Sequence, residues 1–169
     1  ANARDTLTDA AEIIKDQPDI VFVLVGQGKE RAALEQMVKD KKLSNIYFID
    51  SIPKIEIQAM LAKFDACYIG WLNDDLYRFG IGANKIPEYL YSGKPILHGF
   101  SGQGDPIQEY NAGLTFEAEN PQALADAIIN LYQMPKEERE AMGSNGRKAA
   151  LDEYEYGMLA EKLAKVLFK

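Results

Sequence analysis

One cysteine, one histidine and one tryptophan are all that 169 residues contain of those types. A single cysteine excludes an intramolecular disulfide framework. Cys67 lies in the apolar run ACYIGWL and is expected as a buried, reduced thiol in the cytoplasm. One histidine, one cysteine and no carboxylates clustered at ligand spacing leave no metal constellation to name. No apolar run approaches the roughly 20 residues of a membrane span, and no signal peptide opens the chain. Nor is there a block of basic residues. Nineteen Lys and Arg stand against 26 Asp and Glu, for a formal net charge of −7. That balance argues against nonspecific nucleic-acid binding and against a polybasic membrane contact. Repeats, low-complexity segments and internal linkers are also lacking, and the length suits one domain with a real core.

What is present is an alternation of helices and short apolar strands. TLTDAAEIIKD places Leu7, Ala10, Ala11 and Ile14 at helical spacing, and Pro18 stops it. Ile20 to Val25 is a continuous β-branched and aromatic run, which predicts a strand buried on both faces. Helical spacing returns through Leu34, Met37 and Val38. NIYFID predicts a second strand, and EIQAMLAKF a helix with Ile57, Met60, Leu61 and Phe64 on one side. ACYIGWL, PILHGF and GLTFE predict three more strands. Asn120-Pro121 is a helix start, an N-cap followed by proline at the first helical position. Two further helices are expected over 137–151 and 158–168, with Gly157 as the break. Strands alternating with helices imply parallel pairing through right-handed crossovers. The predicted fold is α/β, a Rossmann-like doubly wound parallel sheet of about five to six strands.

In such a sheet ligands bind beyond the carboxyl ends of the strands. Three glycine-containing loops fall there: Gly26-Gln27-Gly28, Gly80 to Asn84, and Gly99 to Gly104. The second opens GIGANKIPEYLYSGKPIL, Gly80 to Leu97. Gly80 and Gly82 let a phosphate approach the backbone without a Cβ in the way. Asn84 is a good N-cap, so the amides that follow, including that of Lys85, are placed to meet an anion at a helix N-terminus. Glu88, one turn inside, suits the cis-diol of a ribose, since a carboxylate accepts two hydrogen bonds. The same residues also read as a surface turn and a solvated helix charge, and residue types alone leave both readings open. His98 reads as structural or catalytic; Trp71, Tyr77 and Phe79 read as core or lid packing.

Taken in order, five segments carry a resemblance: IVFVLVGQGKERAALEQMV, NIYFIDSIPKIEIQAMLAKFDACYI, GIGANKIPEYLYSGKPIL, AGLTFEAENPQALADAIINL and MGSNGRKAAL. The chain resembles the C-terminal, nucleotide-sugar-binding domain of GT-B glycosyltransferases, the retaining family-four (group 1) enzymes. ANKIPEYLYSGKPIL is the most specific piece, similar to the family's NK-x-x-E-Y-x-x-x-G-K-P signature. The resemblance implies that Glu88 holds the ribose hydroxyls and that the amides of Asn84 and Lys85 meet the diphosphate. It also implies that Gly26 and Gly28 line the nucleotide cleft, and that Ser51, Ile52 and Pro53 touch the base. The glutamate that usually contacts the donor sugar falls at Gly80, a gap shared with a subgroup carrying the Asn-Lys variant.

The resemblance further implies that residues 1–169 are a donor-binding domain, one half of a GT-B architecture. The family's first strand and its N-terminal, acceptor-binding domain would be lacking, and the helix over 156–169 would pack toward that domain. The expected function is transfer of a sugar from a UDP- or GDP-linked donor to a glycan or lipid-linked acceptor. The expected setting is bacterial cell-surface polysaccharide synthesis in the cytoplasm, without cofactor or metal. The domain alone should be inactive, and its catalytic residues are not legible. Two rivals stay open: a UDP-sugar epimerase of the same architecture, needing a cleft histidine, and a non-catalytic Rossmann-like regulatory module.

Overall fold

A computed structural model describes residues 3–74, 77 and 85–167. Its elements, in chain order, are α1 (Ala3–Ile13), β1 (Phe22–Val25), α2 (Arg31–Asp40), β2 (Ile46–Ile49), α3 (Ile57–Leu61), β3 (Cys67–Gly70) and α4 (Lys85–Tyr91). Then follow β4 (Ile96–Gly99), α5 (Pro106–Glu109), β5 (Gly113–Phe116), α6 (Pro121–Gln133), α7 (Lys136–Glu153) and α8 (Tyr156–Leu167). A 3-10 turn, Lys54–Glu56, leads into α3.

All strand pairs among the described residues are parallel. β1 pairs β2, with Phe22 opposite Ile46 and Val25 opposite Ile49. β3, β4 and β5 form a second group in that order. The α/β alternation expected from the sequence is therefore present, with five described strands in groups of two and three. Helices cover both faces. α3, α4 and α7 cover the face shown by Cys67 and Ile69. α1 and α6 cover the face shown by Tyr68 and Leu97. The core is thus two apolar layers on either side of the strands, as a sheet buried on both faces requires.

Local sequence explains most elements. Leu7, Ala10, Ala11 and Ile14 are all buried, so the 3.6-residue period of α1 points one stripe at the core. The Asn120 side chain accepts from the Ala123 amide at 2.9 Å, and Pro121 sits where a first-turn amide would have no helical partner. β4 is buried along its whole length, as the middle strand of its group must be.

Three expectations change, and one helix was not expected. All four residues of β1 are half-buried rather than covered on both faces, because the strand pairs on one edge only. Gly157 lies inside α8, and the break falls at residues 154–155 instead. The short helix α5 carried no periodic signal, since four residues cannot show a 3.6-residue repeat. The helix predicted from EIQAMLAKF closes early, at Leu61.

Glycine sets the packing of α7 on α4. A Cβ at Gly143 would run into the carbonyl oxygen of Gly93, which ends α4 with a positive φ of 72° and cannot easily shift. A Cβ at Gly146 would instead meet side-chain carbons of Ala112 and Leu90 at 3.3 Å. Alanine gains up to about 1 kcal/mol over glycine inside a helix, whereas overpacking costs about 1–3 kcal/mol. Gly143→Ala should therefore lower stability by about 2 kcal/mol, a fall of roughly 5 °C in melting temperature. Gly146→Ala should change it by less than half as much, and calorimetric melting of the two variants checks the difference.

Candidate functional site

Because the strands within each group are parallel, the loops that follow them open at one end of that group. There β1 gives way to Gly26, whose φ of 137° is a conformation other residues rarely adopt. Nothing lies within 4 Å of where a Cβ on Gly26 or Gly28 would stand. β2 gives way to Ser51, Ile52 and Pro53. α4 starts at Lys85, exposed, with Glu88 half-buried in its first turn. Gly26, Ser51, Ile52, Lys85 and Glu88 all line one cavity of about 770 Å³. The structure thus brings together five of the residues singled out from the sequence. Gly28 and Pro53 belong to the same loops. Gly80, Gly82 and Asn84 lie outside the described residues, as does Phe79.

Two polar clusters join neighbouring elements of the strand groups, and residue types alone named neither. Arg31, the first residue of α2, donates from Nη1 to the Gly26 carbonyl at 2.9 Å and to Asp50 Oδ1 at 2.7 Å, and from Nε to Glu35 Oε1 at 2.7 Å. A fourth acceptor, the Ile49 carbonyl, lies 3.3 Å from Nη1. Arg31 therefore ties the carboxyl ends of β1 and β2 together. The guanidinium stands 5.8 Å from the centre of the Phe48 ring. Its hydrogen bond to Glu35, helped by Asp50, raises its pKa, so it carries its charge throughout. A single arginine three residues past a glycine turn is a weak signal, because its partners come from another strand.

The second cluster centres on His98, fully buried in β4. The Trp71 indole donates to His98 Nε2 at 2.8 Å. An indole N–H can only donate, so Nε2 accepts and the ring proton sits on Nδ1, which donates to Asp105 Oδ1 at 2.9 Å. The Thr115 hydroxyl donates to Asp105 Oδ2, and the Ile107 amide donates to Oδ1 as the N-cap bond of α5. Burial pushes the Asp105 carboxyl up, but hydrogen bonds from His98 and Thr115, with the Ile107 amide, outweigh it and hold the group below its ordinary value. Both ring nitrogens of His98 are occupied, which gives it a structural role. Trp71 packs edge-on against Tyr77, ring centres 5.0 Å apart, so the cluster also anchors the segment after β3.

Cys67 is buried, and burial pushes its thiol up to about 11, a neutral and poor nucleophile. Among the described residues, no three His, Cys, Asp or Glu side chains stand together as a metal site. No described helix is long and apolar enough to cross a membrane.

Residues 3–149 match the family described as glycosyl transferases group 1. Solved structures are similar too. S. aureus TarM, in a mutant complex with Fondaparinux, alpha-GlcNAc-glycerol and UDP, shares 21% identity at a TM-score of 0.74 over 95% of this chain and 32% of its own. Anabaena HepE in complex with UDP shares 18% at 0.74, over 95% of this chain and 44% of its own. The C-terminal domain of a glycosyl transferase group 1 protein, LpcC, from Francisella tularensis shares 22% at 0.70, over 89% and 78%. The chain therefore spans less than half the length of TarM and HepE. No curated protein sequence matches it closely enough to count as a relative.

The buried cluster yields a stability test. Asp105→Ala leaves the His98 Nδ1–H, the Thr115 hydroxyl and the first turn of α5 without their acceptor, which should cost about 3 kcal/mol. The pH sign follows from the lowered carboxyl. Its contribution is complete above the ordinary aspartate range and is lost as pH falls through the lower folded value. Urea unfolding from pH 6 down to pH 3 should show a steep fall for the native chain and a shallower one for Asp105→Asn.

Proposed function

The chain belongs to the glycosyl transferases group 1 family, and from that premise we propose that it is the donor-binding half of a retaining GT-B enzyme. The observation that carries this reading is the convergence of Gly26, Ser51, Ile52, Lys85 and Glu88 on one cavity at the carboxyl ends of parallel strands. The donor is a sugar linked to UDP or GDP. HepE, similar at a TM-score of 0.74, is in complex with UDP, which supports a nucleoside diphosphate sugar as the donor.

In the proposed arrangement Glu88 accepts hydrogen bonds from the ribose hydroxyls, and the first-turn amides of α4 with the Lys85 ammonium face the diphosphate. Gly26 and Gly28 leave open backbone on the opposite wall, and Ser51, Ile52 and Pro53 flank the base. Arg31 keeps the Gly26 turn in place without touching the ligand. During transfer, the bond between the anomeric carbon and the donor phosphate oxygen breaks, and the nucleoside diphosphate leaves with the electron pair. An acceptor hydroxyl bonds to the same face of that carbon and loses its proton to a base on a second domain. Donors aimed at the departing phosphate stabilise the charge as it develops. The reading needs no metal.

The acceptor is a glycan or a lipid-linked glycan of a bacterial surface polysaccharide, handled in the cytoplasm by the second domain. Exposed Leu163, Val166 and Leu167 on α8 support a helix that packs against that domain. An epimerase is disfavoured because His98, the single histidine, is buried with both nitrogens engaged. By itself this domain should bind donor and transfer nothing.

Calorimetric titration with UDP and with GDP tests the assignment. One of the two should bind, and Glu88→Ala should weaken that binding at least tenfold, about 1.4 kcal/mol. Silence toward both nucleotides, or a Glu88→Ala variant that binds as the native chain does, would remove the pocket from consideration.

A further inference from the structure

Under the donor-binding reading, two distant parts of the chain hold one molecule. Ser51, Ile52 and Pro53 flank the base, and Glu88 takes the ribose hydroxyls. Base and ribose are joined by a single covalent bond, so the two contacts must keep a fixed separation. Moving the carboxylate by about 1 Å would stretch hydrogen bonds of about 2.7 Å beyond their useful range.

The loop after β2 runs without a break into α3. The Glu56 amide donates to the Pro53 carbonyl at 2.9 Å and closes the 3-10 turn, and α3 begins at the next residue, Ile57. The Ala62 amide donates to the Gln58 carbonyl at 3.0 Å. Pro53 and Gln58 thus belong to one hydrogen-bonded stretch. Gln58 is half-buried, and its side chain leaves α3 for α4. Nε2 donates to the Glu88 carbonyl at 2.9 Å. A carbonyl can only accept, so the nitrogen of the side-chain amide must face α4. The same carbonyl accepts the Ser92 amide at 3.2 Å, which occupies both of its lone pairs.

Gln58 stands outside the cavity lining, whereas its neighbours Ile57 and Met60 are part of it. Those two residues share an apolar cluster with Ile86 and Tyr89 of α4. Apolar burial is non-directional and sets how closely the two helices approach. A hydrogen bond has a length and an angle to satisfy, and it sets where α4 stands along its own axis.

We propose, building on the donor-binding reading of this cavity, that Gln58 is a positioning residue for the ribose contact. Its side-chain amide is a strut from the base-flanking stretch to the backbone of Glu88, and it places the Glu88 carboxylate at the distance from the base that a nucleoside requires. The strut ends on the residue that makes the contact, so a shift of α4 passes directly to that carboxylate. Lys85 lies on the same helix but is more tolerant. Its ammonium rides on a flexible four-carbon stem, and its attraction to a diphosphate falls off slowly with distance.

Two variants remove the donor. Gln58→Met keeps the length of the side chain, and Gln58→Glu keeps its polar shape without an N–H to give. Each is titrated calorimetrically with whichever of UDP and GDP the native chain binds. Each is also titrated with the 2′,3′-dideoxy form of that nucleotide, which keeps base and diphosphate and lacks both hydroxyls. Both variants should bind the ribonucleotide about three- to tenfold more weakly than the native chain does. They should bind the dideoxy form within about twofold of the native chain. Beside Glu88→Ala, adding Gln58→Met should cost less than about twofold, because the contact it positions is gone. Equal losses for the two ligands would make Gln58 a general packing residue and overturn the proposal. Native affinity for the ribonucleotide in both variants would overturn it too, as would a full Gln58→Met loss persisting beside Glu88→Ala. A native chain silent toward both UDP and GDP would instead remove the donor-binding reading, and the role of Gln58 with it.

Discussion

Parallel strand pairing requires that the chain return to the same end of the sheet before each new strand begins. In this protein the return trip is made each time by a helix, and the consequence reaches the whole molecule. Within each group of strands, every residue that follows a strand is delivered to the same end. Gly26, Ser51 and Ile52, far apart in sequence from Lys85 and Glu88, therefore line a single cavity. The same requirement covers both faces of the strands with helices, which is why β4 is buried end to end and why the apolar periods of α1 and α6 are strict.

Two polar clusters of unequal weight join the elements around the strands. Arg31 is three-quarters buried, its side chain 25% exposed, and shares one guanidinium among Gly26, Glu35 and Asp50. Its contribution is geometric, since partly solvated ion pairs are worth at most about 1 kcal/mol. The His98–Asp105 pair is different. With side chains 0% and 7% exposed, its hydrogen bonds have no water to replace them. That pair joins β4 to α5 and β5, and through Trp71 reaches the segment after β3.

A strand edge left unpaired explains an otherwise odd burial pattern. β1 has the composition of a central strand, Phe-Val-Leu-Val, yet each of its residues is only half-buried. Composition reports the environment a segment is suited to, and burial reports the environment it has. β5, which also pairs on one edge only, is half-buried throughout as well, while β4, paired on both edges, is buried along its whole length.

Residues near one another in the chain declared themselves in the sequence. The α/β alternation, the apolar stripe of α1, the Asn120-Pro121 start of α6 and the glycine turns at strand ends all depend on contacts within a few positions, where side-chain type and spacing are sufficient evidence. Glu88 and Lys85 were visible for the same reason, as parts of one short pattern. Tertiary structure alone decided what depends on distant partners. Arg31 matters because β2 brings Asp50 to it, and His98 is structural because Trp71, Asp105 and Thr115 meet around its ring. Strand order is of this kind too. Hydrogen bonding between strands is made by backbone groups that every residue shares, so only the folded arrangement could show which edges of β1 and β3 are paired and which are open.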